Sequence, residues 1–236
     1  MKHKILSGTA EAAKILNDTG IAYKRLGRFS DARKLYHRAR RVIRRLGLGG
    51  AELASIYHNL GGLEHALGRY KRAEILTRHA VAIRKKALGT KHPAVAVDLA
   101  ALAAILAAEG KLEEAERLYC DVLAVFVRRF GAENYDVAVN LNNLAALYQA
   151  SGKFRKAEQL YRRALTIKEK ILAAGDPDIA LTLNNLAVLY KSQRRFDEAA
   201  LLYWRALSIF KEAHLEMHPN AISCRANYSQ LLRAMA

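Results

Sequence analysis

Asparagine is the residue whose type and spacing first suggest chemistry. It stands at 59, 143, 185 and 227, the last three 42 residues apart and Asn59 two such steps before Asn143. A side-chain amide donates and accepts at once, so a row of them can hydrogen-bond the main chain of an extended peptide without reading its sequence. The same row could instead bond to neighbouring helices and hold the chain's own geometry, and both uses stay open. Groups for bond-making chemistry are scarce: no carboxylate pair, nucleophile elbow, phosphate loop or His-Glu-x-x-His run occurs. His58 and His65 are seven apart, and His214 and His218 lie near Glu216, a spacing that could ligate a metal. His218-Pro219 nevertheless matches His92-Pro93 as a recurring junction. No catalysis, metal or cofactor is expected, and the chemistry on offer is recognition.

Charge supplies a second surface. Of the net +17, residues 1–92 hold 21 Lys and Arg against 6 Asp and Glu, while the remaining residues are nearly balanced at 18 against 16. In the stretch KLYHRARRVIRR, helical spacing sends Tyr36, Ala39, Val42 and Ile43 to the core and leaves Arg38, Arg41 and Arg45 on an outer flank. Arg84 is expected to extend this patch. Cations near a helix C-terminus complement its dipole, but this excess exceeds that need and implies an acidic partner. An acidic protein segment fits better than nucleic acid, because no aromatic residues interleave the basic stretch and no nucleic-acid module is recognisable.

The elements that must position these residues follow from internal repetition. The turns LGRFSDA at Gly27, LGRYKRA at Gly68, EGKLEEA at Gly110, SGKFRKA at Gly152 and QRRFDEA at Arg194 are spaced 41, 42, 42 and 42 apart. After each turn come Ala, an aromatic or its substitute, a small residue and an aliphatic at offsets of 4, 7 and 10, one face of a helix. Before it, the fullest form is Leu141, Leu144, Ala145 and Tyr148. Each repeat is therefore a helix pair that cannot bury its apolar stripe alone, and the pairs must stack. Helices are expected at 9–26, 30–46, 51–67, 71–87, 94–109, 113–129, 136–151, 155–173, 178–193, 197–214 and 219–234. The fold class is all-α: a right-handed superhelical solenoid of antiparallel pairs, with repeats at about 9–50, 51–93, 94–135, 136–177 and 178–218 and a capping helix at 219–236.

Composition agrees, with 52% hydrophobic residues and three prolines. Cys120 and Cys224 are expected as buried small hydrophobes in a reducing compartment. There is no secretory-type apolar segment at the N-terminus and no run of about 18 apolar residues, so the expected location is cytoplasmic. Trp204 is expected to pack between repeats.

The pattern L-x-x-L-A-x-x-Y, then A, Y and A, resembles the tetratricopeptide repeat, and the 42-residue unit with LNNLA, RRALTIKEKIL and a G-x-x-H-P-type junction looks like its kinesin-light-chain class. That resemblance implies a non-enzymatic scaffold whose first helices line a concave peptide groove. It implies peptide main-chain contacts for Asn59, Asn143, Asn185 and Asn227. Periodicity adds Lys14, Asn17, His58, Asn142, Asn184 and Lys191 to the same face, with basic residues there meeting acidic side chains. Ala101 and Ala104 stand where neighbouring repeats have amides, and could form a shallow pocket like the one in which kinesin light chains accept a Trp flanked by acidic residues; alanine as a plain helix former is the competing explanation. The expected partner is an extended acidic and aromatic peptide. The alternative is a nucleic-acid- or polyanion-associated protein using the basic convex face of the first two repeats.

Overall fold

The computed structural model describes the backbone of residues 2–235 and the side chains of residues 11–235. Among them are eleven helices and no strand: α1 Lys2–Arg25, α2 Phe29–Arg45, α3 Ala51–Ala66, α4 Tyr70–Leu88, α5 Pro93–Ala108, α6 Leu112–Phe130, α7 Tyr135–Ala150, α8 Phe154–Ile171, α9 Pro177–Ser192, α10 Phe196–Glu212 and α11 Pro219–Met235. Most begin within a residue of the expected start; α1 begins seven residues earlier.

The reversals explain why the pairs form. Gly27, Gly68, Gly110 and Gly152 have φ of 73°, 69°, 79° and 71°, the left-handed region that a residue without Cβ enters freely. The residue after each donates its N–H to a carbonyl five positions back: Arg28 to Tyr23 at 2.8 Å, Arg69 to Glu64 at 2.9 Å, Lys111 to Leu106 at 2.9 Å and Lys153 to Tyr148 at 2.8 Å. This bond closes the helix and turns the chain back in one step. Arg195 repeats it to Tyr190 at 2.9 Å, although Arg194 replaces the glycine and still adopts φ 60°.

Four of the other junctions are capped from the side chain, whereas α3 starts after Gly50 without such a cap. Asn134 accepts from the Asp136 N–H at 2.8 Å and Asp176 from the Asp178 N–H at 2.8 Å. His92 and His218, at the equivalent positions, accept through Nδ1 from Ala94 at 3.1 Å and Asn220 at 3.2 Å. An acceptor two residues ahead of an orphan N–H fixes where these four helices start, reinforced in α5, α9 and α11 by proline at the first helical position.

The chain divides into two compact units, residues 1–125 and 126–236. In the first, α1 packs on α2, α2 on α3, α3 on α4 and α4 on α5; in the second, α7 on α8 and so on to α11. First helices also approach each other, α1 with α3, α3 with α5, α7 with α9 and α9 with α11, whereas neither α2 and α4 nor α8 and α10 come as close. Within each unit the stack therefore curves with its first helices on the inner side. The second helices meet them through a small-and-large pattern in which Ala32, Ala157 and Ala199 are fully buried beside equally buried Tyr36, Tyr161 and Tyr203.

Two residues expected inside lie outside. Trp204 is 64% exposed and Cys120 is exposed, while Cys224 is buried as expected. Positions 78, 120, 162 and 204 are equivalent in the 42-residue register, and all four face solvent.

Replacing Arg194 by Gly should relieve the left-handed strain and raise unfolding free energy by about 0.5–1 kcal/mol, read by urea denaturation. Beside that turn, burial alone would raise the Glu158 carboxyl, but hydrogen bonds from Arg195, Tyr190 and Arg162 outweigh it and hold its pKa below the usual 4.5. A depressed carboxyl contributes stability that is present above its unfolded value and lost as pH falls through its folded one. The melting-temperature gap between wild type and Glu158→Gln should accordingly be widest near neutrality and close as pH drops below 4.5.

Candidate functional site

The inner sides of both units carry a bonded row of amides. Asn59 Nδ2 donates to Asn17 Oδ1 at 2.9 Å in the first unit. In the second, Asn185 donates to Asn142 at 3.2 Å and Asn227 to Asn184 at 3.2 Å. In all three the donor, in the register of Asn59, Asn185 and Asn227, bonds the acceptor one first helix earlier, in the register of Asn17, Asn142 and Asn184. All six are half-buried. An amide has two N–H donors and two acceptor lone pairs, so each bond orients a pair and leaves polar capacity on both partners. Asn143 occupies the donor register, is half-buried, and forms no side-chain hydrogen bond among the described residues.

Basic and small residues flank this row. Lys14 is exposed, and Lys191 reaches Gln230 Oε1 at 3.0 Å. Lys14, Asn17, Asp18, Glu52 and Ser55 line a cleft of about 250 Å³ floored by Ala13, Ile43 and Ile56. Ala101 and Ala104 are half-buried on α5, with Val97 45% exposed beside them.

His58 has a partner that the sequence reading did not anticipate. Its Nδ1 lies 2.9 Å from Asp98 Oδ1, and Asp98, only 1% exposed, accepts from Arg84 Nε through its other oxygen at 2.6 Å. Arg84 also reaches Ser55 Oγ at 3.3 Å. The buried carboxylate thus aligns one imidazole on the inner side and clamps α4 to α5. Arg84 is consequently a correction to the expected outer patch: it is 8% exposed and its charge is taken up by Asp98. Equivalent positions hold Phe126, Lys168 and Phe210; Lys168 is likewise buried, with its pKa lowered by burial, and donates to the Asp178 carbonyl at 2.9 Å. The signal was legible as Asp98 in a register that elsewhere carries Asn140 and Thr182.

Arg38, Arg41 and Arg45 lie exposed on α2. No group of three or more His, Cys, Asp or Glu residues that could hold a metal ion occurs among the described residues, and no helix among them is long and apolar enough to cross a membrane.

The tetratricopeptide repeat family model matches residues 11–86, 52–126, 100–170 and 136–212. No curated protein matches the sequence. Among solved structures, the chain is similar to BtubC (BKLC) from P. vanneervenii, with 26% identity over 90% of this chain and 92% of that one and a TM-score of 0.68. It is also similar to a protein described as a kinesin light chain with nearly identical TPR-like repeats from Podosopora anserina, with 23% identity, coverage of 87% and 97%, and a TM-score of 0.66. A third is the Rap conjugation gene regulator of plasmid pLS20, solved with the Phr* peptide, with 14% identity, coverage of 84% and 53%, and a TM-score of 0.71.

Asp98→Ala should strand Arg84 as an unpaired buried charge and cost about 3 kcal/mol in urea denaturation, whereas pairing Asp98→Leu with Arg84→Met should recover most of that loss.

Proposed function

This chain belongs to the tetratricopeptide repeat family, and from that premise we propose that it is a non-enzymatic scaffold that captures an extended peptide on the inner side of its first helices. The repeat array is of the kind typical of protein-protein interaction scaffolds. The observation that carries the reading is the bonded asparagine pair, repeated at one register in three places. These bonds also hold neighbouring first helices in register, and what supports peptide capture is the polar capacity they leave unused, with Asn143 engaged by no neighbour among the described residues. Half-buried amides fixed by their neighbours present donors and acceptors at a regular rise, which suits a peptide main chain that also repeats regularly. Each retained bond contributes about 1 kcal/mol net, so several are needed and an extended partner follows.

Finer preferences are proposed on the flanking residues. Lys14 and Lys191 favour acidic side chains in the peptide, and the small surface at Ala101 and Ala104 favours a bulky apolar or aromatic one, since anchors of that kind ringed by hydrogen-bonding groups dominate binding energy. The Phr* complex supports the reading by analogy, because that neighbour was solved with a peptide.

A displayed library of random peptides gives the test. Peptides selected on the wild-type chain should lose at least about tenfold in affinity by fluorescence anisotropy when Asn143 and Asn185 are both changed to Trp, with helical circular dichroism retained. Unchanged affinity in that variant would sink the proposal.

A further inference from the structure

A second surface lies away from the amide row, at the reversal between α3 and α4. There Glu64 is 1% exposed, although the equivalent positions 23, 148 and 190 hold tyrosine and 106 holds leucine. In the tyrosine repeats the cation after the turn stacks on the ring: Arg28 over Tyr23 at 4.3 Å, Lys153 over Tyr148 at 5.3 Å and Arg195 over Tyr190 at 3.7 Å. In the second repeat Arg69 has no ring to cover. It meets the buried carboxylate instead at 3.5 Å, joined by Arg33 at 3.0 Å and Arg72 at 3.9 Å. One anion therefore gathers three arginines, and Arg69 and Arg72 remain 51% and 59% exposed.

These two arginines border a depression of about 810 Å³, which Lys71, Ile75, Glu109 and Lys111 also line. Its acids are already matched: Lys111 bonds Glu74 at 2.7 Å and Glu109 at 2.6 Å, and Arg78 bonds Glu74 at 2.8 Å. Lys71 is exposed, and Ile75 is 60% exposed. Glu109, its side chain only 9% exposed, is held against Lys111 and leaves the cations at the border as the accessible charges.

We propose that this depression binds an acidic peptide segment carrying one apolar side chain, with its carboxylates on Arg69, Lys71 and Arg72 and its apolar group on Ile75. Charge complementarity selects the acid, since the depression holds surplus cations after its own acids are paired. Ile75, 60% exposed among these cations, selects a peptide over a phosphodiester backbone, which has no apolar side chain to seat there. Glu64 is a positioning residue: it holds Arg69 and Arg72 at the border without contacting the segment. The site is distinct from the inner side and does not depend on it.

The test uses the full chain and a fluorescein-labelled peptide of Glu and Asp with one central Leu, followed by anisotropy. Lys71→Glu combined with Ile75→Ser, both exposed, should weaken binding at least about tenfold while leaving the melting temperature in place. Replacing the central Leu by Ser should weaken it several-fold, and raising salt from about 50 mM to about 300 mM should weaken it further. The Asn143→Trp/Asn185→Trp variant should bind as wild type does. Three results would overturn the inference: no binding, binding lost only in the asparagine variant, which would place the acidic segment on the inner side, or stronger competition by an oligothymidylate of equal charge, which would make this a polyanion surface.

Discussion

Helix-to-helix distance within each pair is the constraint on which everything else rests. A Cβ built on Gly20 would lie 2.6 Å from the Tyr36 ring, and one on Gly61 would lie 2.2 Å from Thr77 Oγ1. Both are far inside van der Waals contact, so the first helix can approach the second only because it carries almost no side chain there. Ala103, Ala145 and Ala187 hold the same register and are fully buried. Once that small residue faces the partner helix, helical geometry decides the rest. A residue two positions earlier sits about 200° around the axis, which carries Asn143 and Asn185 to the opposite side. The amide row is thus a geometric consequence of close packing before it is a recognition device.

The second repeat departs from its neighbours in a consistent direction. Thr77 stands where Tyr36, Tyr161 and Tyr203 stand elsewhere, Glu64 replaces a tyrosine, and Arg84 replaces an apolar residue or lysine. Ring burial is exchanged for ion pairing. Such pairs add little net stability, because desolvation offsets much of their attraction, but breaking one is costly. What they provide is direction: Asp98 points an imidazole inward, and Glu64 spreads arginines outward. The second unit keeps its aromatic positions and pairs Arg162, Arg195 and Arg205 with Glu158, Glu198 and Glu169 on the outside. Residues 126–236 hold 16 Lys and Arg against 10 Asp and Glu, a smaller excess than the 23 against 12 of residues 1–125, and Arg155 and Arg163 stay exposed there.

Helix number and placement were legible in the sequence because the signals are local. A glycine that must have positive φ and a proline that must lack an N–H act within a few residues of themselves. The asparagine register was legible for the same reason, although its bonds join residues 42 or 43 apart and depended on the stacking of whole repeats. Arg84 was misplaced because helical spacing alone cannot see a carboxylate fourteen residues away across a junction. Trp204 was misjudged by residue type: comparison with Arg78, Cys120 and Arg162 in its own register marks that position as outward, and burial preference lost to geometry. Glu64 and its arginines were missed because a polar residue at a tyrosine position reads as erosion of the repeat unless its partners are known.

The two proposed kinds of recognition are separated by their physics. Amide-to-backbone bonds are neutral and short-ranged, so salt should scarcely touch them, and their energy grows with the length of ordered peptide. The proposed arginine border would act through charge that water screens over about 8–10 Å at ordinary ionic strength, and so would govern encounter more than residence. A partner engaging both would be drawn in by the border of the second repeat and retained by the amides. That division follows from the packing: second helices and turns face outward where charge is cheap to solvate, while first helices face inward where only groups already hydrogen-bonded can be half-buried without penalty.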